Sequence, residues 1–247
     1  MKTQSISKSV LAIAISLLIS GRSGLFADGG REASDGDKLV YLPPPQSANE
    51  QTRVIGAASR GIAQNLPVPM ILSPEHTGWT IEEQPSLFWF VSQPATVKLI
   101  VTLSRDDRAE PTLERTFDTA QQGIQRLDLA KEHVKLEAGV VYRYSVALRP
   151  DAQDPSKDVP SSGCIERIKP PNSLIAKMLS VPRPRDRAVI FAHNHIFYDA
   201  LTSISEEIES HPEMHKDRAE LLEQVGLPDA AAYDRGLAAK AGNAPKE

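Results

Sequence analysis

The stretch VVYRYSVALR, Val140 to Arg149, constrains the fold more than any other part of this chain. On an extended backbone Val140, Tyr142, Tyr144, Val146 and Leu148 face one way, while Arg143, Ser145 and Arg149 face the other. Such alternation marks a strand with one buried and one wet face, the pattern that antiparallel sheets allow. Similar short runs surround it. SLFWFV (Ser86 to Val91) and VKLIVTL (Val97 to Leu103) are separated by Gln93-Pro94-Ala95, and in the second Val97, Leu99, Val101 and Leu103 share a face. LERTFD (Leu113 to Asp118), GIQRLDL (Gly123 to Leu129) and SGCIERI (Ser162 to Ile168) complete the series.

Short strands with Pro, Gly and Asp turns between them predict an antiparallel β-sandwich over residues 68–170. The segment LEAGVVYRY has a leucine, a glycine and then a tyrosine opening a strand. It resembles the tyrosine corner of immunoglobulin- and fibronectin-type sandwiches, where the hydroxyl bonds backbone near the turn; an ordinary core tyrosine is the alternative. KPPNSLIAKMLSVPRPRDR, with four prolines and several basic residues, reads as a junction over 171–185. Beyond it the period turns helical. Phe197, Leu201, Ile204 and Ile208 draw one apolar stripe, with Glu206, Glu207 and Glu209 opposite. A further helix follows, with Pro212 in its first turn, Leu221, Leu222 and Val225 inward, and Gly226 as its stop. The fold class is therefore α+β: an immunoglobulin/fibronectin-like sandwich followed by a helical hairpin at 186–228, with 229–247 as a frayed Ala-rich tail.

The N-terminus reads as an export signal over residues 1–27. Lys2 and Lys8 precede an apolar core from Val10 to Ile19, about half of the roughly 20 residues a membrane-spanning helix needs. Leu25-Phe26-Ala27 offers cleavage between Ala27 and Asp28. The expected compartment is periplasmic or secreted, with no stable membrane insertion after cleavage. Residues 28–67 are rich in Gly, Ser, Pro and charge and read as a flexible leader, with Pro43 to Pro45 as a polyproline II spacer. Without the signal, 25 basic residues remain against 32 acidic ones, a formal charge of −7 that argues against nucleic acid as a partner. Cys164 is the lone cysteine, so no intrachain disulfide forms, and its strand-like setting suggests a buried small hydrophobe.

His193 and His195, with Asp199 four further on, are the one constellation that suggests chemistry. On a strand, residues two apart share a face and both histidines could grip one metal; on a helix they lie about 200° apart. The apolar stripe starts at Phe197, which leaves no room for a metal-bearing strand and a loop before it. Asn194 tolerates left-handed geometry, so a helix ending near His193 is expected, with both histidines at a helix-to-helix turn and Asp199 in the first turn of the next helix. His211 reads as the capping position before Pro212, and His211 and His215 as surface residues; His76 and His133 stand alone. No Gly-rich phosphate loop, Ser-His-Asp spacing or Cys-x-x-Cys is present, and Glu82-Glu83 and Asp106-Asp107 fall in expected turns. No cofactor or resident metal is expected.

RVIGAASRG (Arg53 to Gly61), the Pro-rich run to Ser73-Pro74, GWTIEEQPSLFWFV, GCIERI, FAHNHIFYDAL and LLEQVGL occur in an order and spacing that resembles the domain-of-unknown-function 928 family of exported bacterial proteins. The resemblance spans about Tyr41 to Pro228. It implies architecture and compartment; the family carries no established activity. The family pattern has a glycine, an aliphatic, an aromatic and Tyr-Asp-Ala-Leu, which Ile196 to Leu201 match while His195 stands at the glycine position. The resemblance thus implies a backbone requirement at His195 rather than a metal ligand, and burial for Cys164. Ala188 to Pro212 also resembles a single tetratricopeptide unit, too few for a repeat array.

The expected function is a non-enzymatic interaction or envelope-accessory role toward another envelope or secreted protein, with Arg60, Arg167, Tyr198 and Asp199 as exposed candidate binding residues. One alternative is a metal-dependent hydrolase on His193, His195 and Asp199, which requires a strand at Ala188 to His195. The other is a carbohydrate-binding module, which requires an exposed aromatic; Trp79 is available, whereas Trp89 falls in an expected core strand.

Overall fold

A computed structural model describes residues 38–45, 52–55 and 66–242. The export signal with its Ala27–Asp28 cleavage point, most of the leader, and Arg60 lie outside the described residues. The described strands are β1 (Val54–Ile55), β2 (Met70–Ile71), β3 (Gly78–Thr80), β4 (Ser86–Val91), β5 (Lys98–Arg105), β6 (Leu113–Phe117), β7 (Gly123–Asp128), β8 (Val141–Arg149) and β9 (Val159–Arg167). Five helices follow: α1 (Asn172–Leu179), α2 (Pro184–His193), α3 (Phe197–Glu207), α4 (Met214–Gln224) and α5 (Pro228–Gly242). None of the described helices is long and apolar enough to cross a membrane.

The chain is α+β, with two sheets. The larger runs β1-β9-β8-β5-β6 with every pairing antiparallel, and β3 lies parallel against the end of β9. The smaller runs β2-β4-β7, also antiparallel. The alternation read in β8 is the one found: Tyr142, Tyr144, Val146 and Leu148 are buried, and Val141 is exposed. On β5 their cross-strand partners Leu103, Val101 and Leu99 are buried as well, so one face of the sheet is continuously apolar.

Strand β4 lacks alternation because both its faces are covered. All six of its residues are buried. Trp89 and Val91 pack with Val101, Val146 and Leu148 of the larger sheet, while Phe88 and Phe90 join the cluster that includes the helices. The Phe90 ring lies 5.3 Å from that of Tyr233 on α5. A strand buried on both sides reads as an unbroken apolar run.

Helices and larger sheet share one apolar cluster, in which Tyr142, Tyr144 and Ile165 meet Phe197, Leu201, Ile204, Leu221 and Leu222. Tyr198 is at its centre. Its hydroxyl donates to the Cys164 carbonyl at 3.0 Å and lies 3.1 Å from Ser73 Oγ. The ring sits against Gly78, where a Cβ would come within 2.6 Å of Tyr198 Cε2, so β3 approaches α3 only because residue 78 has no side chain. At the strand's other end the Tyr142 hydroxyl accepts from the Glu137 amide at 3.1 Å, just upstream of β8.

Three local expectations are corrected. The Ala-rich stretch after Asp229, read as a frayed helical tail, is helical but not frayed: it forms α5, whose Ala230, Ala231 and Asp234 are fully buried, and small side chains let it lie close to α4 without an apolar stripe wide enough to stand out. His211 is not the cap of α4: Glu213 takes that position, and His215 is only 13 % exposed at its side chain because it meets Asp234. Part of the segment read as a flexible leader is docked. Leu39 and Tyr41 are buried, and the Gln224 amide clamps their backbone, accepting from Tyr41 N–H at 2.8 Å and donating to the Leu39 carbonyl at 3.0 Å. Arg53 closes the end of α4, donating to the carbonyls of Ser73, Val225 and Gly226 at 2.6–3.2 Å. Those terminal helix carbonyls have no partner within the helix. Gly226 itself has φ 72°, the left-handed stop expected there.

Candidate functional site

The geometry of the two histidines follows from α2. The helix continues through His193, so the strand that a metal-dependent hydrolase needs at Ala188–His195 is absent and that reading is withdrawn. The turn differs in one detail from expectation. Asn194 keeps φ −105° and caps the helix with its side chain, donating to the Ile190 carbonyl at 2.7 Å; His195 takes the left-handed position, with φ 68°. His195 Nδ1–H donates to the Leu42 carbonyl at 2.8 Å, and its ring meets Trp79 edge-on at 6.1 Å. This is the backbone role implied by the glycine of the family pattern. Left-handed geometry costs a non-glycine about 1–2 kcal/mol. Accordingly, His195→Gly is expected to be more stable than His195→Ala by about 1 kcal/mol in urea unfolding. The order inverts if residue 195 is helical in solution, where alanine is favoured over glycine by a similar amount.

Of the residues expected to be exposed binding candidates, two are not exposed. Tyr198 is wholly buried, and Asp199 is only 4 % exposed. The physical reason is the packing of α3 against β3. Its first turn lies under β3 rather than at the surface, so the residue beside Phe197 on the helix is covered by the sheet. Arg167 is partly exposed and works structurally, donating to the Leu136 carbonyl at 3.1 Å and pairing with Glu83 at 3.4 Å. Trp79 is partly buried and Trp89 lies between the sheets, so neither offers the open stacking face a sugar requires.

Asp199 nevertheless marks the most chemically loaded place among the described residues. It lines a cleft of about 360 Å³ where α3 meets the loop after β3. Three buried side-chain polar atoms lack a hydrogen-bond partner among the described residues, and Asp199 Oδ2 is the one that can carry charge. Its other oxygen accepts weakly from the Ile81 amide at 3.4 Å. Burial pushes the Asp199 carboxyl up to about 7; hydrogen bonding from Thr80 and the Ile81 amide opposes the rise, and the negative charge of Glu82 adds to it.

The rest of the cleft follows from α3. Asp199, Ser203 and Glu206 are spaced by four and three, so they share a face opposite the Phe197–Leu201–Ile204 stripe and run about 10 Å along the helix. Glu82 and Ser86 stand on one wall, Arg187 and Phe191 of α2 on the other. At the far end Arg126 is held by Asp128, by Ser86 Oγ at 2.8 Å and by Glu206 at 3.0 Å. Glu82, Arg126, Arg187 and Glu206 were not singled out as site residues by the sequence reading. The polar stripe at 199, 203 and 206 is the available signal; the partners distant in sequence carry none.

No curated protein matches the chain. A family model described as Domain of Unknown Function (DUF928) matches residues 55–234, which takes in the strands from β2 onward, the Tyr-Asp-Ala-Leu segment and the cleft. That match covers well over half of the sequence: the chain belongs to the DUF928 family.

Proposed function

We propose that this chain is an exported, non-enzymatic interaction protein that meets another envelope or secreted protein through the cleft along α3. The observation that carries the reading is the buried Asp199 carboxyl, which lines the cleft and has one buried oxygen without a hydrogen-bond partner among the described residues. Burying such an oxygen unpaired costs about 1–3 kcal/mol or more, which a bound donor would recover. The Lys2–Lys8 segment followed by Val10–Ile19 supports export. The Glu137–Tyr142 bond supports reading the two sheets as an immunoglobulin/fibronectin-like sandwich, and the α2–α3 pair supports a single tetratricopeptide-like hairpin with α4 as the further helix. The −7 charge after signal removal disfavours nucleic acid.

Two measurements test this. Cell fractionation with N-terminal sequencing is expected to find the mature chain outside the cytosol, starting at Asp28; a full-length chain kept in the cytosol overturns the export reading. A photo-crosslinking residue placed at Thr202, on the cleft, is expected to capture one defined envelope protein in living cells. The same residue at exposed Lys98, at the start of β5, is expected to capture none. Equal labelling from both positions, or none from Thr202, sinks the cleft as the contact surface.

A further inference from the structure

We propose that the group received by the α3 cleft is a primary ammonium, held by Asp199 Oδ2 and Glu82 and flanked by the cleft's hydroxyls. The inference rests on the reading of this cleft as the contact site and names the chemistry it recognises. Three carboxylates line it, Glu82, Asp199 and Glu206, against two guanidiniums, Arg126 and Arg187. Arg126 and Glu206 pair with each other, which leaves Glu82 and Asp199 against Arg187, a net negative charge once Asp199 is ionised. The unpaired Oδ2 is a buried acceptor that nothing described in the chain supplies. A group with several N–H donors matches it better than a metal ion: among the described residues no group of three or more His, Cys, Asp or Glu side chains is placed to hold one. Ser203 adds a hydroxyl acceptor for a remaining N–H bond. Pro85, Met178 and Phe191 form an apolar wall suited to an alkyl stem. The ammonium can belong to a lysine side chain, to a polypeptide N-terminus or to a free alkylamine.

Binding of a cation needs Asp199 ionised, so it weakens as the solution is acidified. The groups facing that carboxyl are Thr80 and Ile81 of the β3 side, Glu82 of the following loop, Arg187 and Phe191 of α2, and Arg126 and Glu206 at the far end. With its carboxyl near 7, the affinity should approach a tenfold fall per pH unit below about pH 6.

The test uses the mature full-length chain and three probes: Nα-acetyl-lysine methylamide, Ala-Ala-amide and n-butylamine, each beside its amine-acetylated form, followed by NMR shifts at pH 7.5. At least one free amine is expected to bind, its acetylated form at least tenfold more weakly, and Asp199→Asn, of the same shape, to remove the difference. Glu82→Gln, on an exposed loop, is expected to weaken binding about threefold without disturbing the fold. Failure of all three free amines to bind, equal binding of the acetylated forms, or unchanged binding to Asp199→Asn overturns the proposal. The ranking of the three probes identifies the source of the ammonium. A Thr202 crosslink without amine binding leaves the partner reading intact and discards the ammonium; amine binding without a crosslink does the reverse.

Discussion

Asp234→Ala is expected to lower the unfolding free energy by about 3–5 kcal/mol, the range for breaking a buried ion pair from one side. Asp234 is fully buried on α5 and accepts from Arg218 Nε at 2.6 Å and Arg218 Nη2 at 2.8 Å, with His215 Nδ1 at 2.9 Å. Arg218, on α4, is itself 9 % exposed at the side chain, so losing Asp234 leaves a guanidinium with no counter-charge and little water. Its third contact, to Ser205 Oγ of α3 at 3.2 Å, is neutral and does not compensate. The cluster joins three helices whose backbones make no hydrogen bonds to one another, so its loss should loosen α5 first. Differential scanning calorimetry is expected to show a melting temperature lower by roughly 10 °C. The double variant Arg218→Met/Asp234→Leu should recover most of that loss, because replacing a buried ion pair with apolar side chains of similar volume is often neutral or stabilising. A single variant as stable as the parent would mean that α5 is not docked as described.

What the sequence disclosed and what it hid divide along one physical line. Strand β8 was legible because a wet face and a dry face alternate residue by residue, and Gly226 because a left-handed stop demands a particular residue type. The α3 stripe was legible for the same local reason. The docking of α5 was not, since alanines packing on a neighbour leave no contrast between faces. The docked Leu39–Tyr41 segment depends on Gln224, 183 residues from Tyr41, and no window of sequence contains both. The left-handed turn was located to within one residue: Asn194 is the better left-handed residue by type, yet its side chain is spent on the Ile190 carbonyl and the strain passes to His195. For the site, Asp199 was picked out, with the wrong exposure. Burial of an acidic residue in the first turn of a helix is set by what packs above that turn, here β3, and β3 is only three residues long. The arginines of the cleft reach it from β7 and α2, so their convergence exists only in the folded chain.

The Asp199 carboxyl sets a second large effect, on stability as a function of pH. Burial raises its folded-state pKa to about 7 from an ordinary 3.8, so the folded chain holds this proton more tightly than the unfolded chain does. The stability it contributes is complete below about pH 4 and is lost as pH rises through 7. At about 1.4 kcal/mol for each pH unit separating the two values, the loss across that window amounts to roughly 4 kcal/mol. Asp128 acts in the opposite sense but elsewhere: burial raises its carboxyl, while Lys131, Ser86 and Arg126 outweigh that and hold it down at about 2, so its contribution disappears only as pH falls below the window. Urea unfolding of the parent at pH 4.5, 6 and 8 should therefore show a decline that Asp199→Asn lacks. The two chains should be closest at pH 4.5, where Asp199 is neutral in the folded chain and little of its contribution has yet been lost. At pH 8 the asparagine variant should be the more stable, by somewhat less than the full difference because its extra amide donor also needs a partner. Parallel pH profiles would show that Asp199 stays ionised throughout, with solvent or a counter-charge reaching Oδ2 in the folded state. An ammonium ligand in the cleft should flatten the parent's profile toward that of the variant, since a bound cation stabilises the ionised carboxyl that burial disfavours.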